Sequence, residues 1–208
     1  MSEIEKKIDT NDQAVLELKL VGDVAGEFLV PPYQRGYRWG TEQIRMLLND
    51  IWDNGDSNYC LQPIVVKKLG ESKYELIDGQ QRLTSIFLIL KYMKQLLPSL
   101  EIKFSLSYQT RARSAEFLSN LDPDKKNENI DFHYMYNAFQ YINTWFEDIT
   151  TGDKLLKTIN LYKHFGEKVK FIWYEVNTTE DSPELFTRLN IGKIPLTNAE
   201  LVNCITTI

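Results

Sequence analysis

The segment Leu76-Ile77-Asp78-Gly79-Gln80-Gln81-Arg82-Leu83-Thr84 carries more polar chemistry than a strand-to-helix connection needs. Tyr74, Leu76 and Ile77 read as a short buried strand. Leu83, Ile86, Phe87, Leu90, Met93 and Leu97 recur at helical spacing, so Arg82 falls in a helix's first turn. That end of a helix carries partial positive charge and unpaired N–H groups, a poor seat for a guanidinium unless an anion shares it. A phosphate satisfies both. Gly79 permits close backbone approach, so the N–H groups of Gln80 and Gln81 could point at such an anion. The plainer alternative has Asp78 capping the helix, Gly79 supplying a turn at positive φ, and Arg82 paired with a carboxylate.

Several elements must hold this turn. Glu27-Phe28-Leu29-Val30 is a strand-like run stopped by Pro31-Pro32, and the donor-rich loop Tyr33-Gln34-Arg35-Gly36-Tyr37-Arg38-Trp39 follows. Thr41 can cap a helix whose Ile44, Leu47, Leu48, Ile51 and Trp52 form one apolar stripe. Residues 63–67 and 74–77 read as two strands joined by a turn at 70–72, which delivers Asp78 to the end of a sheet. The motif helix stops at Pro98, and Ile102, Phe104 and Leu106 alternate as another strand.

A helix near 111–121, a polar loop at 122–131, the helical spacing of Phe132, Met135, Tyr136, Phe139, Ile142, Phe146 and Ile149, and a helix over 154–165 make a helical subdomain. Residues 169–176, rich in β-branched and aromatic side chains, return the chain to the sheet. Ser182-Pro183-Glu184 opens a helix with Ser182 as cap, and Gly192 ends it. Thr197-Asn198-Ala199-Glu200 has capping-box form, and Leu201, Val202, Ile205 and Ile208 begin a stripe that predicts further protein downstream. Residues 1–8 read as frayed, and 14–20 are ambiguous between strand and helix.

Composition narrows the chemistry. The 208 residues suffice for one full core. No run approaches the roughly 18 apolar residues of a membrane span, and the charged start lacks a secretory core, so a cytoplasmic address is expected. Cys60 and Cys204 are too few for a disulfide framework or zinc site. His133 and His164 are the only histidines, too few for a histidine-metal nuclease or a Ser-His-Asp hydrolase. The net charge of -5 opposes a surface built for nonspecific duplex binding. Arg35 with Arg38, Lys67 with Lys68, Arg111 with Arg113, and Lys125 with Lys126 are candidate local basic spots, although such pairs are usually solvated faces, so nucleic acid is unsupported rather than excluded.

Three segments together carry a resemblance: Val30-Pro31-Pro32-Tyr33-Gln34-Arg35, the Ile77 to Thr84 motif, and Phe186-Thr187-Arg188-Leu189-Asn190 with Gly192 and Pro195-Leu196-Thr197-Asn198-Ala199-Glu200-Leu201. The sequence resembles domain-of-unknown-function family 262, the N-terminal domain of GmrSD-type modification-dependent restriction enzymes, itself similar to the ParB and sulfiredoxin superfamily. It departs from the common pattern at Gln62-Pro63, where small residues are frequent, and at Lys193, where a second glycine often follows Gly192. The resemblance implies an α+β fold, a ParB-like small mixed sheet with packed helices plus an inserted or appended helical subdomain. The chain would be a single domain over 1–208, with the sheet in about 14–108 and 168–208, the helical part in about 109–167, and a C-terminal effector domain beyond.

By the same resemblance the Asp78 to Arg82 turn would hold the phosphates of a nucleoside triphosphate, and the loop of Pro32, Tyr33, Gln34 and Arg35 would help close the pocket. Gly79, Thr84, Arg188 and Asn190 complete the implied binding set, although Asn190 could equally cap its helix. Arg82, Arg35 and Arg188 would neutralise phosphate charge, because guanidinium forks match phosphate oxygens in pairs. The alternative for Arg35 is stacking on Tyr37 or Trp39. For hydrolysis, one of the amides of Gln80 and Gln81 would orient water and Asp78 would hold Mg2+, with Arg82 on the phosphates; the alternative has both glutamines bonding loop backbone.

The expected function is an NTP-binding and NTP-hydrolysing regulatory or sensor domain of a restriction protein that defends against phage, not a nuclease by itself. Its partner would be a C-terminal nuclease domain, with DNA contact in the full-length protein and homo-oligomer formation left open and no membrane involved. A noncatalytic module that merely presents the nuclease domain is the competing reading.

Overall fold

A computed structural model of the chain describes residues 14–147, 153–176, 179 and 181–190, with Asn190 described by its backbone alone. Strands β1 (Val15–Leu20), β2 (Gly26–Val30), β3 (Tyr59–Gly70), β4 (Lys73–Asp78), β5 (Phe104–Tyr108) and β6 (Val169–Val176) form a six-stranded sheet ordered β1-β6-β3-β4-β2-β5. The sheet is mixed: β1 with β6 and β3 with β4 run antiparallel, whereas β3 with β6, β2 with β4 and β2 with β5 run parallel. The helices are α1 (Thr41–Asp53), α2 (Gln80–Leu96), α3 (Ala112–Asn120), α4 (Ile130–Glu147), α5 (Lys154–Glu167) and α6 (Ser182–Asn190). The expected mixed sheet with packed helices is present.

Alternation along the strands divides the sheet into two faces. Ile64, Val66, Leu76, Phe171 and Trp173 face one large core that also takes in α1 through α5. Val65, Ile77 and Val176 face the other way and receive Leu185 of α6, with Phe186 and Leu189 packed beside it. The helices of 109–167 therefore share the sheet's core: Phe117 of α3 stacks on Phe132 of α4 at 4.2 Å, and Phe146 of α4 stacks on Tyr92 of α2 at 4.7 Å. Helix α2 packs on α4, meets β5 where Phe87 lies against Phe104, and buries Leu83, Ile86, Leu88, Ile89, Leu90, Tyr92 and Met93, more of its circumference than one stripe. Truncating a side chain such as Leu88 to alanine would cost about 2–5 kcal/mol.

Strand β3 starts before Pro63 and runs past Lys67, further than the segment 63–67 that composition marks. Proline within a strand is tolerated where the ladder is interrupted, and the pairing of β3 with β6 shifts register between Leu61 and Ile64. Two helix starts also differ by one residue. Gly40, not Thr41, is the N-cap of α1, with Gln43 Oε1 accepting from its N–H at 2.9 Å. Asp181 caps α6 by accepting from the Glu184 N–H at 2.8 Å, which frees the Ser182 hydroxyl to donate to Glu75 at 3.3 Å. Gly192, the capping box at 197–200 and the stripe to Ile208 lie outside the described residues.

Candidate functional site

Strand β4 ends at Asp78 and α2 begins at once, with Gly79 as its N-cap at φ 95° and ψ 8°. That left-handed conformation suits glycine, and the space demands it as well: a Cβ would collide with the Ile64 side chain and come within 3.1 Å of the Pro63 carbonyl oxygen. No side chain caps the helix. Asp78 is turned to other use, 41% exposed with Oδ2 3.4 Å from Arg82 Nη2. The first-turn N–H groups of α2 are thus left for something else.

Beyond the carboxyl ends of β2 and β4 lies a cavity of about 560 Å³. Asp78, Gly79, Gln80, Gln81 and Arg82 line one side; Tyr33, Gln34, Arg35 and Trp39 line the opposite side; Gln62 of β3 and Phe186 of α6 close it. This is where parallel strands of an open sheet deliver their helix N-termini, the usual place for a ligand.

The Arg82 side chain is 14% exposed, and neutral acceptors hold it. Nη1 donates to Gln62 Oε1 at 2.7 Å and Nη2 to the Pro63 carbonyl at 2.5 Å. The β3 irregularity at Pro63 sets both acceptors beside the turn. Burial lowers the guanidinium pKa and Asp78 opposes the shift, yet an arginine remains a cation. Arg35 is exposed and has no carboxylate partner among the described residues. Two guanidiniums, Arg82 and Arg35, therefore meet one carboxylate, Asp78, in the wall of a cavity within a chain of net charge -5.

The loop wall is tied down from several sides. Gln34 is 5% exposed, donates through Nε2 to the Leu76 carbonyl, and accepts from Arg111 Nη2 on its backbone oxygen at 2.7 Å. The Tyr33 hydroxyl donates to Glu75 at 2.8 Å, and its ring packs on Phe186 at 5.2 Å. Burial, and then Glu75, raises the Tyr33 pKa. Gln81 uses both ends of its amide: Oε1 accepts from the Arg38 N–H at 2.8 Å, while Nε2 donates to the Gly36 carbonyl at 3.0 Å and to Gln80 Oε1 at 2.8 Å. Gln80 is 3% exposed, and its Nε2 lies toward the Tyr108 hydroxyl without a well-formed hydrogen bond.

Under the loop sits Asp131, 3% exposed at the start of α4. It accepts from Arg38 Nη1 and from the Ser114 hydroxyl at 3.4 Å, and lies 3.4 Å from Arg111 Nε. Gly36 passes directly over this carboxylate, whose oxygens occupy the space a Cβ would need.

Three of the sequence-derived candidates, Pro32, Thr84 and Arg188, do not line this cavity. Pro32 is exposed and does not line it. Thr84 is wholly buried, with its hydroxyl 3.3 Å from that of Tyr108. Arg188 is half-buried on α6 and outside the lining, and the Asn190 side chain lies outside the described residues. Sequence reasoning gave no role at the site to Gln62, Phe186, Glu75, Arg38, Arg111 and Asp131, and offered Trp39 only as a ring on which Arg35 could stack. Arg38 and Arg111 each stood in a basic pair that reads as a solvated face. The signal for their partner was Asp131 itself, an acidic residue placed immediately before the apolar run of α4.

No three His, Cys, Asp or Glu side chains gather as a metal cluster among the described residues, and Asp78 is the one carboxylate lining the cavity. A lone carboxylate suits Mg2+, which takes its remaining ligands from water and substrate phosphates. No helix among the described residues is long and apolar enough to cross a membrane.

No curated protein matches the chain. A family model described as the N-terminal domain of GmrSD restriction endonuclease matches residues 17–207. The chain therefore belongs to the family of GmrSD restriction endonuclease N-terminal domains, and its role lies in restriction.

Proposed function

We propose that this domain binds a nucleoside triphosphate, and hydrolyses it, to regulate a restriction protein whose C-terminal nuclease domain does the cutting. One observation carries the reading: the Arg82 guanidinium lines a cavity beside an uncapped helix N-terminus, held by neutral acceptors with a single carboxylate at 3.4 Å. Arg82, Arg35 and the helix N-terminus together carry more positive charge than the one Asp78 carboxylate offsets, and a polyphosphate supplies the balance. Arg82 and Arg35 take phosphate oxygens, Gly79 lets the N–H groups of Gln80 and Gln81 approach them, and Tyr33 and Gln34 form the facing wall. Thr84 supports the motif helix from behind. Arg188 and Asn190 join the site through α6, which reaches the cavity at Phe186.

Asp78 would hold Mg2+ together with the phosphates, and the ion would supply charge neutralisation there. In hydrolysis, water attacks the terminal phosphorus and leaves a nucleoside diphosphate and inorganic phosphate. Gln80, which lines the cavity, is the candidate to orient that water, its amide turning out from beside Tyr108 to do so, and Gln81 positions the loop. A ParB-like ancestry fits the mixed sheet with a glycine turn feeding α2.

Binding without turnover is the second reading, favoured by the full engagement of the Gln81 amide. Isothermal titration with Mg-complexed ATP, GTP, CTP and UTP tests the first claim: binding is expected, weakened at least about tenfold by Arg82→Ala. Absence of heat with all of them would overturn it. A phosphate-release assay then separates hydrolysis from binding alone.

A further inference from the structure

A second cavity, of about 230 Å³, adjoins the first and shares Trp39, Gln62 and Arg82 with it. The Arg82–Gln62 hydrogen bond of 2.7 Å belongs to this common wall. The two spaces differ in chemistry. The first is dominated by guanidinium, carboxamide and helix N–H groups. The second lies between α1 and the start of β3 and offers the rings of Trp39 and Tyr59 with the apolar surfaces of Met46, Leu47 and Leu61. At its far end Asp50 of α1 accepts from the Tyr59 hydroxyl at 3.3 Å through Oδ2, and an ionised carboxylate has further lone pairs with which to accept.

A site for anions joined edge to edge with a site for a flat apolar body matches a molecule with those two parts. Nucleobases stack on aromatic rings whatever their identity, and each carries ring or exocyclic N–H groups that a carboxylate can accept. Resting on the triphosphate reading above, we propose that the second cavity is the nucleobase site, with Trp39 and Tyr59 as its aromatic faces and Asp50 as acceptor for a base N–H. The phosphate chain then crosses the Arg82–Gln62 wall, so Arg82 touches the ligand between its two halves.

Inorganic tripolyphosphate separates the halves, because it carries the phosphates and no base. With the full chain and Mg2+, the preferred nucleoside triphosphate should bind at least about tenfold more tightly than tripolyphosphate. Met46 is 51% exposed, so Met46→Trp can fill the second cavity at little cost to folding. It should bring nucleotide affinity down to the tripolyphosphate level and leave tripolyphosphate unchanged. Equal affinity of the natural chain for both ligands, or full nucleotide affinity in Met46→Trp, overturns the base site and leaves the triphosphate site standing. Failure of the natural chain to bind either ligand removes both.

A second measurement needs no substitution. Cys60 is half-buried in the lining of this cavity. Its maleimide labelling, read on the Cys60 peptide by mass spectrometry, should slow with nucleotide and not with tripolyphosphate. Equal rates with the two ligands overturn the proposal.

Discussion

Adding a single methyl group at Gly36 should test how the cavity wall is built. A Cβ at this position would overlap the Asp131 carboxylate, which is 3% exposed and held by Arg38, Arg111 and Ser114. Either the loop lifts or the carboxylate leaves its partners. Overpacking alone costs about 1–3 kcal/mol. Disrupting a fully buried ion pair costs about 3–5 kcal/mol, but both arginine side chains are 29% exposed and can rehydrate, so roughly half of that applies. Gly36→Ala should therefore lose about 2–4 kcal/mol, and Asp131→Ala about 2 kcal/mol. The double variant decides the matter. With the carboxylate gone, the new methyl meets open space, and adding Gly36→Ala to Asp131→Ala should cost under about 0.5 kcal/mol. Urea unfolding followed by tryptophan fluorescence measures all the corners of this cycle. Additive losses would show that the loop does not rest on Asp131 and would refute the reasoning.

Other outcomes follow from single contacts. Gly79→Ala forces a non-glycine residue to φ 95° against Ile64 and the Pro63 carbonyl, and should lower stability by about 2–5 kcal/mol in the same assay. Gln81→Ala leaves the Arg38 N–H and the Gly36 carbonyl without their partner; a stability loss of about 1–3 kcal/mol, with faster amide exchange at residues 36–38, is expected. Burial raises the pKa values of Tyr33, Tyr37 and Tyr108 above their ordinary value of 10.0. Below that value both folded and unfolded chains keep these protons, whereas above it only the unfolded chain releases them. The Tm should hold to pH 9 and fall as pH rises past about 10, and a flat profile would contradict it.

The motif helix and its glycine start could be read from the chain because their signals are local. Apolar spacing marked α2, and only glycine tolerates the φ that the turn requires at residue 79. The loop at residues 33–39 was legible as donor-rich, but not what it binds, since Glu75, Gln81 and Asp131 reach it from sequence separations of about 40 to 90 residues. Gln81 shows the consequence: its place in the motif suggested chemistry on a ligand, and the fold gives its amide to the loop backbone. Thr84 belongs to the same motif, but the helical period turns it from the cavity toward Tyr108. Strand β1 stayed ambiguous because Ala14, Val15 and Leu16 form an apolar run ahead of the alternation of Leu18 and Leu20 with Glu17 and Lys19, and so short a segment fits either period. Pro63 hid the length of β3, as a bulge has no composition of its own.

A crystal structure of the chain soaked with Mg2+ and a slowly hydrolysed triphosphate analogue tests the anion site most directly. Phosphate oxygens should lie about 2.7–2.9 Å from the Arg82 guanidinium and close to the N–H groups of Gln80 and Gln81, with Gln62 and the Pro63 carbonyl still holding the arginine from behind. A triphosphate bound elsewhere, or an Arg82 side chain turned away from it onto protein carboxylates, would contradict the central claim.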